Sequence, residues 1–217
     1  RRDLAMLAIQ GPHARQKIAE LVSQSRGVLI QQLKPFEGQY DGDWFIARTG
    51  YTGEDGLEIA MPADQAQAFF NDLVGAGISP IGLGARDSLR LEANYPLYGH
   101  EISEQISPIQ AGLGWTVKFT KPEFIGREAL HRQAQGGPVS SVVLFSLDDR
   151  RIARQGAVVY SGETPVGEVL SGTQSPVLGK PIGTALVAAG HAASATLTVD
   201  IRGNRIPLRL ATEPFVK

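Results

Sequence analysis

The run Arg48-Thr49-Gly50-Tyr51-Thr52-Gly53-Glu54-Asp55-Gly56-Leu57-Glu58-Ile59 constrains this chain more than any other stretch. An apolar segment, Trp44-Phe45-Ile46-Ala47, leads into it, and Leu57-Glu58-Ile59-Ala60-Met61 leads out in apolar/polar alternation. That pattern on either side of a glycine-rich bend predicts two strands of a hairpin. Three glycines within seven residues allow positive φ and let the backbone approach a partner closely. Glu54 and Asp55 fall in the bend, and Glu58 falls on the outgoing strand. Two readings of these acids stand. They are solvated charges at a hairpin tip, or Glu58, set between Leu57 and Ile59, accepts hydrogen bonds from paired N–H donors of a planar ligand.

Composition narrows the alternatives. At 217 residues the chain can bury a real core in one or two domains. A formal net charge of -1 gives no basic excess for nucleic acid. No run approaches the roughly 18 apolar residues of a membrane span. The absence of cysteine excludes disulfides, thiolate metal sites and cysteine nucleophiles. Four histidines (His13, His100, His131, His191) are too scattered for a local metal motif. The chain opens Arg1-Arg2-Asp3 and passes straight into Leu4 to Ile9, which reads as a buried strand without a leader's cleavage pattern. It is expected to start inside a longer protein.

Pro12 is suited to the first position of a helix carrying Ile18, Leu21 and Val22 on one side. Ser25 to Asp43 has little period, and Leu29, Ile30 and Leu33 are assigned to short strand pieces. Pro62 precedes a second amphipathic helix with Ala66, Phe69, Phe70, Leu73 and Val74 as its stripe, ended by Gly75 and Gly77. Strand, helix, hairpin and helix predict an α+β layer, with helices on one face of an antiparallel sheet. In Gly84-Ala85-Arg86-Asp87-Ser88-Leu89-Arg90-Leu91-Glu92-Ala93, helical spacing places Arg86 and Arg90 on one face, and Pro96 must end the helix. The arginines are either a solvated salt-bridge face, or Arg86 projects its fixed fork of donors toward a carbonyl or carboxylate. Ile125 to Gln135 is a further helix candidate. Beyond the break at Gly136-Gly137-Pro138 come six short apolar runs: Val139 to Leu147, Ala157 to Tyr160, Val166 to Ser171, Ile182 to Val187, Ala195 to Ile201 and Ile206 to Ala211. They are separated by turns such as Ser161-Gly162-Glu163 and Arg202-Gly203-Asn204 and predict the strands of an all-β barrel or sandwich.

These motifs resemble those of the glycine-cleavage T-protein family of tetrahydrofolate-dependent aminomethyltransferases. The match includes Ile9-Gln10-Gly11-Pro12, Arg48 to Glu58, Gly84 to Ala93, Leu97-Tyr98-Gly99 and Ser107-Pro108 with Leu113-Gly114-Trp115. Phe124 to Leu130, Ser171 to Gly179 and Pro214-Phe215-Val216 continue it in family order across essentially the whole chain. The resemblance implies an α+β, split antiparallel-sheet and helix layer that binds folate, followed by a C-terminal all-β barrel. Residues 1–105 would be part of the folate-binding domain, 106–137 the returning part of a discontinuous second domain, and 138–217 the barrel. It also implies transfer of a methylene carbon from the aminomethyl-lipoyl carrier H-protein to tetrahydrofolate, with release of ammonia, in a bacterial cytoplasm. Glu58 and Arg86 would hold the pterin, and Tyr51, Tyr98 and Trp115 would neighbour the ring system. No metal, nucleic acid or membrane partner is implied. The family's catalytic Asp lies upstream of the matched region, so none of this chain's residues takes that role and the chain alone is expected to be inactive. Alternatives in the same superfamily are a dimethylglycine or sarcosine oxidase-type C-terminal module and a folate-binding accessory protein. The iron–sulfur assembly accessory factors carry a Lys-Gly-Cys-Tyr motif, which a chain without cysteine cannot have.

Overall fold

The computed structural model describes residues 1–194 and 196–216. They form two compact units, Arg1–Arg86 and Asp87–Lys217.

The first unit holds an antiparallel sheet of β1 (Leu4–Gln10), β2 (Gly38–Asp41), β3 (Trp44–Ala47) and β4 (Gly56–Pro62), in the order β1-β4-β3-β2. The predicted hairpin is the β3–β4 pair, in register Ile46 to Ile59 and Ala47 to Glu58. On β4, Leu57, Ile59 and Met61 are fully buried while Glu58, Ala60 and Pro62 point to the other face. Helices α1 (Ala14–Leu21), α2 (Gln24–Gln32) and α3 (Ala63–Gly75) cover the buried face. There Ile18, Ile30, Phe69 and Leu73 pack against Ile9, Trp44, Ile46 and the β4 residues.

Three expectations change. β1 is buried on one face only, with Met6 and Ala8 exposed. The first helix begins at Ala14 with His13 as its N-cap, not at Pro12. Leu29 and Ile30 lie in helix α2 and Leu33 is its C-cap, so none forms a strand piece. The Ser23 hydroxyl caps α2 by accepting the Arg26 amide at 3.4 Å. Only Gly27 and Ile30 of α2 are buried, which leaves no apolar stripe in the sequence. A β-carbon at Gly27 would lie 2.9 Å from the Ala19 carbonyl oxygen, so glycine is what lets α1 and α2 approach. Helix α3 follows Pro62 as predicted, although Phe70 and Val74 stand largely outside its buried stripe.

The division between the units falls inside helix α4 (Leu83–Glu92), after Arg86. The second unit continues through a helical turn at Gly114–Thr116 and helix α5 (Arg127–Gly136) into seven strands. These are β5 (Ser140–Ser146), β6 (Val158–Ser161), β7 (Thr164–Ser175), β8 (Lys180–Ala188), β9 (Leu197–Ile201), β10 (Asn204–Pro207) and β11 (Arg209–Ala211). Their order is β10-β9-β6-β7-β8-β5-β11. The two outermost strands, β10 and β11, are joined through Leu208 alone. One residue spans only about 3.8 Å, so the sheet must curl until its ends come together. It wraps a core of Phe145, Leu147, Val159, Val169, Ala185, Val187, Leu197 and Val199. The run from Ile206 to Ala211, read as one strand, is therefore two. Of the run Ala195 to Ile201, Ala195 lies outside the described residues. The turns at Gly162 and at Arg202-Gly203 carry the positive φ that such tight hairpins require. Among the described residues no helix is long and apolar enough to cross a membrane.

Candidate functional site

The bend between β3 and β4 is built around Gln10, the last residue of β1. A β-carbon at Gly50 would overlap the Gln10 carboxamide, and one at Gly56 would overlap the Ile9 carbonyl and the Gln10 backbone. Gly53 has φ +81. The three glycines thus do two jobs: two permit close approach, and one permits a left-handed turn. Gln10 Nε2 donates to the carbonyls of Thr49 at 3.1 Å and Leu57 at 3.3 Å, while Oε1 accepts from the Thr52 hydroxyl at 3.4 Å.

Asp55 secures the ends of the bend. Arg48 donates to it at 2.8 and 3.1 Å, Arg15 at 3.3 Å, and its backbone carbonyl accepts the Gly11 amide at 2.8 Å. Arg15 also donates to the carbonyls of Ile30 and Gln31 at the end of α2, and Arg48 to that of Leu33. The Arg48 hydrogen bonds hold the Asp55 carboxyl below the usual carboxylate range; burial opposes this and Arg15 reinforces it. Asp55, though exposed, therefore acts as a clamp across the bend.

Glu58 projects from the sheet face opposite the helices. Its cross-strand neighbours on that face are Ala8 of β1 and Ala47 of β3, and Gly38 stands opposite Ala47 on β2. One carboxylate therefore stands in a row of methyls and a glycine, with Met6, Ala60, Phe45 and Tyr40 forming the next row. Among the described residues none hydrogen-bonds the Glu58 side chain. A half-buried anion on an apolar floor, with both oxygens available, suits a flat ligand presenting N–H groups along one edge.

Arg86 lies near the start of α4, where its amide donates to the Gly82 carbonyl at 3.2 Å. Its guanidinium sits over the Tyr51 ring, 4.6 Å from the centroid, as a cation–π stack favours. Among the described residues no carboxylate pairs with it. The structure thus brings Arg86 and Tyr51 together and leaves the donors of Arg86 for another group. Tyr98 and Trp115 lie in the second unit, 68% and 72% exposed, the latter on the Gly114–Thr116 turn.

The shared solvated face of Arg86 and Arg90 is not present. Arg90 is 1% exposed and donates to Asp87 at 2.8 Å, Glu101 at 3.0 Å, the Ser171 hydroxyl at 2.8 Å and the Tyr95 carbonyl at 3.2 Å. Glu101 also accepts from the Thr184 hydroxyl and from the Leu97 amide at 2.9 Å. Burial pushes the Glu101 carboxyl up, but Thr184, Leu97, Ser171 and Arg90 together outweigh it and hold it below its ordinary value. Glu92, also buried, accepts from the Ser175 hydroxyl and the Val177 amide, and its backbone carbonyl accepts the amides of Phe215 and Val216. Three sequence motifs thus meet at one buried glutamate. His100 Nδ1 lies 2.7 Å from the Leu170 carbonyl, where β7 is irregular, which makes this histidine structural. Arg205 stacks on Tyr160, whereas Arg202 shares a cleft of about 500 Å³ with Arg150, Arg151 and Arg154. Among the described residues no three His, Cys, Asp or Glu side chains converge as a metal site would need.

Fold and site together define a two-part α+β protein: an antiparallel sheet covered by helices on one face, and a curled antiparallel sheet. The model of the GCVT N-terminal domain matches residues 1–121, and that of the glycine cleavage T-protein C-terminal barrel domain matches residues 141–217. The chain belongs to the glycine-cleavage T-protein family. It is 53% identical to an aminomethyltransferase of Pseudomonas syringae pv. tomato and 49% identical to one of Chromobacterium violaceum, covering all of this chain and 60% of each relative. A crystal structure of glycine cleavage system aminomethyltransferase T from Bartonella henselae superposes with a TM-score of 0.90 at 35% identity, covering 98% of this chain and 60% of that one. The chain spans about 60% of the length of the curated relatives it matches.

Proposed function

We propose that this chain supplies the tetrahydrofolate-binding part of an aminomethyltransferase of the glycine cleavage system. The reaction passes the methylene carbon of an aminomethyl-lipoyl carrier protein to tetrahydrofolate and releases ammonia. The observation that carries this reading is the Glu58 carboxylate on its floor of alanines, without a hydrogen-bond partner among the described residues. Tetrahydrofolate's pterin edge has amino and ring N–H donors that match the two oxygens of Glu58. Its carbonyl and ring nitrogens are acceptors that match the donors of Arg86. Tetrahydrofolate is the co-substrate here and supplies the nitrogen that accepts the one-carbon unit.

The chain's own residues bind and orient it. Tyr51 supports the guanidinium of Arg86, and the aromatic rings of Tyr98 and Trp115 belong to the same proposed set. Asp55 and Asp87 are committed to arginine partners, so neither is assigned the catalytic acid that the family likeness implies. The lipoyl carrier H-protein as partner, a bacterial cytoplasmic setting and the domain limits 1–105, 106–137 and 138–217 are parts of the same proposal.

Calorimetric titration separates a pterin site from a general anion site. Tetrahydrofolate is expected to bind saturably, and p-aminobenzoylglutamate, which lacks the pterin, at least about tenfold more weakly. Equal affinity for both ligands, or no binding of tetrahydrofolate, contradicts the assignment.

A further inference from the structure

We propose that Gln10 is a positioning residue for the ligand site: its carboxamide pins the middle of the 48–56 bend so that Tyr51 is presented beneath the Arg86 guanidinium. The proposal rests on the reading of Arg86 given above. It starts from the Ile9-Gln10-Gly11-Pro12 motif, which the binding site does not otherwise use. Asp55 holds only the ends of the bend, through Arg48, Arg15 and Gly11. The three hydrogen bonds of Gln10 go to Thr49 and Thr52, which bracket Tyr51, and to Leu57, which precedes Glu58.

The chemistry at this position requires an amide. Two carbonyls need an N–H donor between them and the Thr52 hydroxyl needs an acceptor, so the orientation of the carboxamide follows from its partners. A glutamate has no donor for the carbonyls, an arginine or lysine no acceptor for the hydroxyl, and an asparagine is one methylene too short. The bend has also been fitted to this side chain, since both Gly50 and Gly56 lie where a β-carbon would strike Gln10. Such a contact fixes Tyr51 before any ligand arrives. Preorganisation of this kind matters because a displacement of about 1 Å in a site can cost about 100-fold.

The stack can be read without ligand by NMR. The Tyr51 ring current should move the Arg86 δ-methylene and Nε–H resonances upfield, and Tyr51→Leu sets the unstacked reference. In Gln10→Met, a near-isosteric change without donors, at least half of that upfield shift is expected to be lost while amide shifts beyond the bend stay in place. Tetrahydrofolate affinity is then expected to fall about tenfold. Thr52→Val, which keeps the shape but removes one of the three Gln10 bonds together with the acceptor of the Glu54 amide, is expected to lose a smaller part of the shift, and it answers the question should Gln10→Met fail to fold. An Arg86 shift unchanged in the folded variants overturns the proposal. Failure of the wild-type chain to bind tetrahydrofolate overturns the functional reading instead, because the stack measurement does not depend on it.

Discussion

Replacing Arg90 with alanine is expected to destabilise the second unit by about 3–5 kcal/mol, seen as a large fall in the urea midpoint. The cost comes from what is left behind. Arg90 is 1% exposed and is the cationic partner of Glu101, itself buried. Without the guanidinium, the Glu101 carboxylate keeps neutral donors such as the Thr184 hydroxyl and the Leu97 amide but loses its cationic partner, and Ser171 loses the donor that Arg90 supplied. The paired substitution Arg90→Met with Glu101→Leu is expected to cost much less than the two single changes added together, because no buried charge remains. An additive result would show that the pair does not act as a unit.

The pH dependence has a definite sign. Glu101 is held below its ordinary value in the folded state. Its contribution is therefore complete above the unfolded pKa and is lost as pH falls through the depressed folded one. The stability margin of the wild type over Glu101→Gln should be full at neutral pH and shrink below about pH 4.

The second large effect is on ligand affinity. Glu58→Gln replaces an acceptor pair by one acceptor and one donor, and that donor then faces an N–H of the pterin. A charge-assisted hydrogen bond contributes about 1.5–3 kcal/mol, so tetrahydrofolate binding is expected to weaken roughly 10- to 150-fold. Arg86→Ala removes the matching donors and uncovers the Tyr51 ring, with a loss of the same order. Arg86→Lys should recover little of it, because an ammonium has neither the planar fork nor the stacking face. Glu58 is half-buried and has no partner among the described residues to strand, so Glu58→Gln should not lower the unfolding midpoint appreciably. Loss of affinity without loss of stability is the pattern that marks a binding residue.

Much of this was legible in the sequence because local period reports local burial. The alternation of Leu57-Glu58-Ile59-Ala60-Met61 gave both the strand and the face on which Glu58 lies, and Pro62 placed helix α3. Helix α2 was not legible, since only Gly27 and Ile30 are buried and nothing repeats. The partnership of Gln10 with Gly50 and Gly56 was hidden because it joins positions about forty residues apart. Spacing alone suggested that Asp87, Arg90 and Glu92 formed a water-facing set. Asp87 does stay half exposed, but Arg90 and Glu92 are buried against Glu101, Ser171 and Ser175, which reach them only through the tertiary fold. The curl of the C-terminal sheet could be argued only once β10 and β11 were known to lie at its opposite ends.

The central claim is that the face carrying Glu58 is where the pterin lies, and the methyl groups beside it offer the most direct test. With alanine methyls isotopically labelled, addition of tetrahydrofolate should shift the Ala8 and Ala47 resonances saturably through the ring current of the bound pterin. Ala66, packed on the helical side of the same sheet, should stay in place. Saturable binding that leaves Ala8 and Ala47 unmoved would contradict the account.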